Sequence, residues 1–321
     1  MRHHRITASA LALACAGAGL LISAQPSQAG LVTSCTGSAS GVTIPGDLFV
    51  PAGESCELTD VVVNGNTTVQ ADANMILTDA TLNGTLAVQS NGFASTLRVT
   101  VTGATQLTTG FGLFAQDSMF TGSVVGTDSG FVFGVGARFG ADVTSTNGLT
   151  FLQSARLARN LTTTGDALTD AYDSVIAGTV SVSNAELGSV VCVSEIDGAA
   201  TFADGGTLQL GGDAPVSPCG FDVFGAGVTV SGNSDAFING NVIRGDLACT
   251  GNAAAPTGSG NRIRGQATGQ CANMSPSAAR AAAAPASRTA AVQASIKARM
   301  TKGQRDAARA GKASLGHSTT K

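Results

Sequence analysis

Apolar residues between Gly46 and Gly198 recur on a period close to nineteen. Rows begun at Gly46, Gly65, Gly84, Gly103, Gly122, Gly140, Arg159, Gly178 and Gly198 keep lengths of 18 to 20 residues. The fifth column then holds Val50, Val69, Val88 and Leu107, and the eighteenth holds Val63, Leu82, Val101, Phe120, Phe139, Leu157 and Ile176. Each row contains three short alternating segments, separated by turns such as "QSNG", "TDSG" and "STNG". Alternation predicts strands, and a fixed longer period predicts that each row is one coil of a stack. Equivalent strands then pair with the coils above and below at ~4.8 Å. The fold class expected is all-β: a single-stranded parallel β-helix, or β-solenoid, with ~19 residues per coil and right-handed winding. A sandwich or barrel would supply similar strands but would not hold one period over so many rows. No single coil can bury both faces of its strands, so the stack should behave cooperatively.

One row breaks the rhythm: 27 residues separate Gly198 from the next row start, Gly225, and the excess contains "GGDAPVSPCG". Cys192 and Cys219 each lie six residues before a row start, which places them in one column of adjacent coils and predicts a bridge pinning the insertion. Cys249 and Cys271 fall at nearly matching columns of the last coils, and Cys35 and Cys56 can close the first. End coils expose unpaired backbone and an apolar cross-section, so bridges there have a physical purpose. The seventh cysteine, Cys15, lies in the leader.

The termini differ from the repeat. Residues 1–29 read as a signal peptide, with a basic start, the run "ITASALALACAGAGLLISA" and a small-x-small site at Ala29. Residues 30–273 form the expected parallel β-helix domain. Residues 274–321 form a basic, Ala-rich tail, expected to be disordered or partly helical because its apolar face is thin. Charge follows the same division. The 30–273 segment carries 20 acidic residues against 7 arginines and no lysine, a balance of −13, whereas the tail carries 9 basic residues and one acid, a balance of +8. An even set of six cysteines behind an export signal points to disulfides and a secreted, extracellular or cell-wall-associated protein. No second apolar run is long enough to span a bilayer.

The opening "CTGSASGVTIPGDLFVPAGESCEL" and the closing "NVIRGDLACTGN…GNRIRGQATGQC" resemble those of exported actinobacterial parallel β-helix proteins, a group of uncharacterised function. The resemblance covers most of residues 31–273. It implies the fold and export, and it carries over no catalytic residue.

The chemistry is sparse. The 30–273 segment has no histidine, which excludes histidine-based triads and the commonest general base. The best constellation is the fifteenth column, where Asp60, Asp79, Arg98 and Asp117 succeed one another and Arg98 would sit between two carboxylates; a charge-balanced surface ladder is the plainer reading. Asp166, Asp170 and Asp173 lie beside Tyr172 in one coil but should be spread over different faces. Phe114, Phe133 and Phe151 share the twelfth column and are expected to pack in the interior. No column is threonine over more than two or three coils, which argues against an ice-binding ladder. The balance of −13 argues against nucleic acid as a partner of the body. No cofactor or metal site is expected. The function expected is an exported non-enzymatic solenoid, a structural or binding module whose basic tail meets anionic wall polymers or a membrane surface, with polysaccharide a further possible partner. The alternative is a carboxylate-dependent polysaccharide-active enzyme, a lyase or glycoside hydrolase.

Overall fold

A computed structural model describes residues 31–212, 216–276, 286–313 and 315–319; the expected signal peptide lies outside them. The chain winds through three parallel sheets in about twelve turns. Sheet I runs from Leu31–Ser34 to Ala267–Gly269, sheet II from Gly37–Ser40 to Asp235–Ile238, and sheet III from Thr43–Ile44 to Arg262–Ile263. The register is that of the columns. In sheet I, Val88 lies between Val69 and Leu107; in sheet III, Leu82, Val101, Phe120 and Phe139 follow one another. All of these side chains are buried in one continuous apolar core.

Two kinds of corner explain the turn residues. At most row starts, as at Gly84, a Cβ would run into the carbonyl of the glycine one coil below, here Gly65, so the close approach of successive coils favours glycine; Arg159 is the exception. At the corner from sheet II to sheet III, Asp60, Asp79, Arg98, Asp117, Ser154 and Asp173 adopt φ between 47° and 55°. Short polar side chains tolerate this left-handed conformation better than most.

The three bridges are Cys35–Cys56, Cys192–Cys219 and Cys249–Cys271, with Cα separations of 5.6, 5.3 and 5.2 Å. The middle one has a different geometry from that expected. The ladder ends with Val191 opposite Leu210, and Cys219 belongs to the inserted loop rather than to a matching strand column. The bridge therefore ties the loop back over sheet II. Gln209 reinforces the fold-back: its Nε2 donates to the Ser217 carbonyl at 2.6 Å, and its Oε1 accepts the Ser217 N–H at 2.9 Å.

The tail takes the helical alternative. Helix α1, Ala286–Ala310, lies along the outer face of sheet II, and Gly316–Thr319 pairs antiparallel with Leu31–Ser34 at the first coil. The thin apolar face suffices because the solenoid supplies the other half of the contact. Val292, Ile296 and Met300 pack on Phe93, Phe111, Phe114, Phe131, Phe133 and Phe151. Arg299 lies 4.9 Å from the centroid of Phe111 and donates to the carbonyl of Asn91 at 2.7 Å.

This corrects the expectation for the twelfth column. Leu113, Val132 and Leu152 point into the core, so by strand alternation Phe114, Phe133 and Phe151 point outward. They are covered by α1 rather than by the solenoid interior, with Phe133 and Phe151 stacked at 4.4 Å and Phe151 continuing to Tyr172 at 5.6 Å.

Two tests follow from this packing. Leu82→Asp places a carboxylate in a fully buried column, at a cost of several kcal/mol. The expected result is one cooperative loss of structure across the stack in thermal unfolding; a parent-like melt would mean the column does not carry the core. Deleting residues 277–321 should uncover the aromatic face, giving binding of an apolar fluorescent dye and self-association in sedimentation. A truncated chain that stays monomeric and dark would show that α1 covers nothing consequential.

Candidate functional site

The fifteenth-column residues occupy an exposed edge, not a pocket. Arg98 makes a bidentate contact with Asp79, Nε to Oδ1 at 2.6 Å and Nη2 to Oδ2 at 2.7 Å. The Arg98 guanidinium holds the Asp79 carboxyl below the usual range. Asp117 acts on Arg98 only through its field, and Asp60 is one further coil away. Left-handed backbone turns each of these side chains outward at a separate step of the corner. The arrangement offers one exposed ion pair and no enclosed point on which several groups converge.

The second acidic group is dispersed, as its spacing implied. Asp166 is buried and accepts from Ser145 Oγ at 2.8 Å, Gly148 N at 2.9 Å and Thr150 Oγ1 at 2.8 Å; burial still pushes its carboxyl up. Asp173 stands on the corner and accepts from Ser154 Oγ at 2.9 Å. Asp170 points outward from sheet II and is sealed beneath the start of α1. Its Oδ1 lies 3.5 Å from Arg288 Nη1 and accepts the Val190 N–H at 3.0 Å. Burial pushes the Asp170 carboxyl up to about 7, against the lowering effect of Arg288 and the Val190 N–H. Tyr172 beside it is pushed up to about 12 by burial, with the Asp170 charge adding.

Asp222 had no place in the sequence argument. It follows the inserted loop, is fully buried, accepts the Ser194 N–H at 2.8 Å, and is pushed by burial up to about 7. Such shifts often mark catalytic acids. Here both carboxyls are closed off from solvent, Asp170 by the helix and Asp222 at the corner, so neither can meet a polymer substrate as the chain stands. Among the described residues no three His, Cys, Asp or Glu side chains gather in a metal-binding group, and no helix is long and apolar enough to cross a membrane.

An open polar groove of about 370 Å³ lies where the period breaks. Four successive coils line it, the last entered from the inserted loop, with Arg156, Asp173 and Glu195 as its charged groups and Val193 and Phe221 at its apolar rim. Arg288, Arg299, Val193 and Phe221 were not found from sequence. The insertion itself was the signal for the last two, because loops that interrupt a regular scaffold are where sites are commonly placed.

Comparison with known proteins is negative: no family model, curated protein or solved structure matches the chain. The parallel β-solenoid implied by the terminal motifs is the fold observed.

Asp170 and Asp222 make stability depend on pH in a defined sense. Their folded values, about 7, lie above the unfolded carboxylate value near ~3.9, so the native state keeps protons that the unfolded state releases. Stability should therefore fall as pH rises from about 4 to about 7 and level off above. The thermal midpoint should be higher at about pH 5 than at about pH 8, and an Asp170→Asn, Asp222→Asn double variant should shrink the difference, with buried Asp166 retaining a contribution of the same sign. A parent midpoint that rises over this interval would contradict the burial assigned to both acids.

Proposed function

We propose that the protein is an exported, non-enzymatic solenoid held at an anionic surface of the cell envelope through the outer face of α1. The observation that carries this reading is the division of labour among the helix cations. Arg288 and Arg299 turn inward and fasten the helix to the solenoid, while Lys297, Lys302, Arg305, Arg309 and, just beyond the helix, Lys312 remain exposed. Asp306 is the one acid among them, 2.6 Å from Lys302 and 3.8 Å from Arg309. Residues 30–273 contain no lysine and are strongly acidic, so a docked helix concentrates positive charge on one side of a negative body.

A docked helix serves this purpose better than a mobile tail. Its cations are already ordered, so less conformational entropy is lost when they meet a polymer of regular charge. Near an anionic membrane each exposed cation contributes roughly 1 kcal/mol, and the effect fades beyond a Debye length of ~8 Å at physiological salt. Dispersal of Asp60, Asp79 and Asp117 along an exposed edge, and closure of Asp170 and Asp222, support a binding or structural role over a glycosidic one. Disulfides at both ends of the stack suit an oxidising exterior.

The test uses full-length mature protein and a Lys297→Glu, Arg305→Glu, Arg309→Glu variant, which leaves the inward arginines in place. Sedimentation with purified teichoic-acid-bearing walls at low and high salt should show parent binding that falls with salt and a variant that stays in solution. Equal sedimentation of both forms, or binding indifferent to salt, would defeat the reading.

A further inference from the structure

We propose that the groove at the break in the period is a binding site for a neutral glycan chain. The inserted loop is anchored twice, by the Cys192–Cys219 bridge and by the Gln209 amide on Ser217. What this anchoring delivers to the surface is Phe221, immediately after the tied segment, with 60% of its area exposed. Leaving a phenyl ring in water at the end of a firmly held loop gains nothing for the fold. Beside it stands Val193, 53% exposed and at φ 54°. That is the corner position which Asp, Arg, Ser or glycine occupies in earlier coils, and a β-branched residue is poorly suited to it.

The groove floor supplies the polar half. Ser174 and Ser194 hydroxyls are committed to backbone carbonyls, of Tyr172 at 2.7 Å and Cys192 at 3.0 Å, and so hold the corner rather than a ligand. Arg156, Asp173 and Glu195 project from three successive coils, and none of them is ion-paired among the described residues. Asp173 takes a single bond, from Ser154. Arg156 and Glu195 share one column two coils apart, ~10 Å at the ladder spacing, with Asp173 at the corner between them; two carboxylates that accept and one guanidinium that donates, spread over that length, suit the hydroxyl groups of more than one sugar. The apolar ring face of a sugar then has Phe221 and Val193 to lie against. A polyanionic chain would face an excess of one carboxylate, which is why the ligand is assigned as uncharged. The groove is open to solvent rather than enclosed, which admits a chain longer than the lining itself.

This site is separate from the basic face of α1, and the two can fail independently. The experiment is affinity co-sedimentation of full-length mature protein with insoluble cellulose, chitin and β-1,3-glucan, and affinity electrophoresis in soluble mannan and xylan. The parent should bind at least one of these, at a strength insensitive to salt, and the charge-reversed helix variant should bind equally. Phe221→Ala and Glu195→Gln should each weaken binding about tenfold or more, with unchanged thermal midpoints because both side chains are exposed. Val193→Gly supplies a further check: it relieves the backbone at that corner, so the midpoint should hold or rise while affinity falls. Absence of binding to all five polymers, or parent-like binding by both Phe221→Ala and Glu195→Gln, would overturn the proposal.

Discussion

Each coil satisfies the N–H and C=O groups of its strands on its two neighbours, at a spacing of ~4.8 Å that no side chain can alter. That fixed rise dictates what every other part of the molecule must fit. It brings Gly84 so close to Gly65 that no side chain is admitted, and it sets Val69, Val88 and Leu107 directly above one another in the core. It also leaves two unsatisfied ends, since a stack, unlike a barrel, cannot close on itself. The first coil is finished by the chain's own last strand, Gly316–Thr319 against Leu31–Ser34, running antiparallel to all the others. A strand arriving from outside the repeat has no register to continue, and reversed direction makes it a poor template for further parallel growth.

The same rise accounts for the length of α1. From Gly37–Ser40 to Ser189–Cys192, sheet II climbs nine strands, a height of ~38 Å at the ladder spacing. A helix of 25 residues spans ~37 Å. Its contacts follow this order in reverse, with Arg288 bonded to Leu187 and Gly188, Arg299 to Asn91, and Gly311 accepting from Ser38. The helix thus returns the chain from the late coils to the first, where the closing strand is needed. Beyond its reach the inserted loop takes over the same outer face, with Gln209 buried beneath it. Two covers of unrelated origin divide one sheet between them.

Period and parity together made most of the solenoid readable from the chain. Leu82, Val101 and Phe120 declare an inward column because their neighbours Asn83, Thr102 and Thr121 are polar. The twelfth column lacked that contrast. Phe114 and Leu113 are both apolar, so hydropathy predicts burial for each without saying on which side of the sheet. The missing information lay in Val292, Ile296 and Met300, more than a hundred residues away, on a segment whose apolar stripe looks inadequate by itself. The bridges were readable for a simpler reason: spacing limits which cysteines can meet, even though Cys219 reaches Cys192 from a loop. The groove was only half legible. An insertion marks a place, but the exposure of Phe221 and the backbone of Val193 depend on how the loop is tied down.

The burial of Asp170 follows from how the outer column of sheet II is built and then covered. Glu57, Ile76, Ser95, Phe114, Phe133, Phe151, Asp170, Val190 and Gln209 occupy one register position in successive coils, all facing away from the core. In a bare solenoid every one of them would meet water, and acidic or amide side chains would be unremarkable there. Adding α1 favours the phenylalanines and penalises Asp170, whose desolvation Arg288 offsets only in part at 3.5 Å. Adding the loop does the same to Gln209, but a neutral amide can be satisfied completely by backbone partners, as the Ser217 bonds show. The helix contact is therefore of two kinds: polar at its N-terminal end, where Arg288 bonds to the Leu187 and Gly188 carbonyls beside the buried Asp170 carboxyl, and apolar along the aromatic stretch that follows.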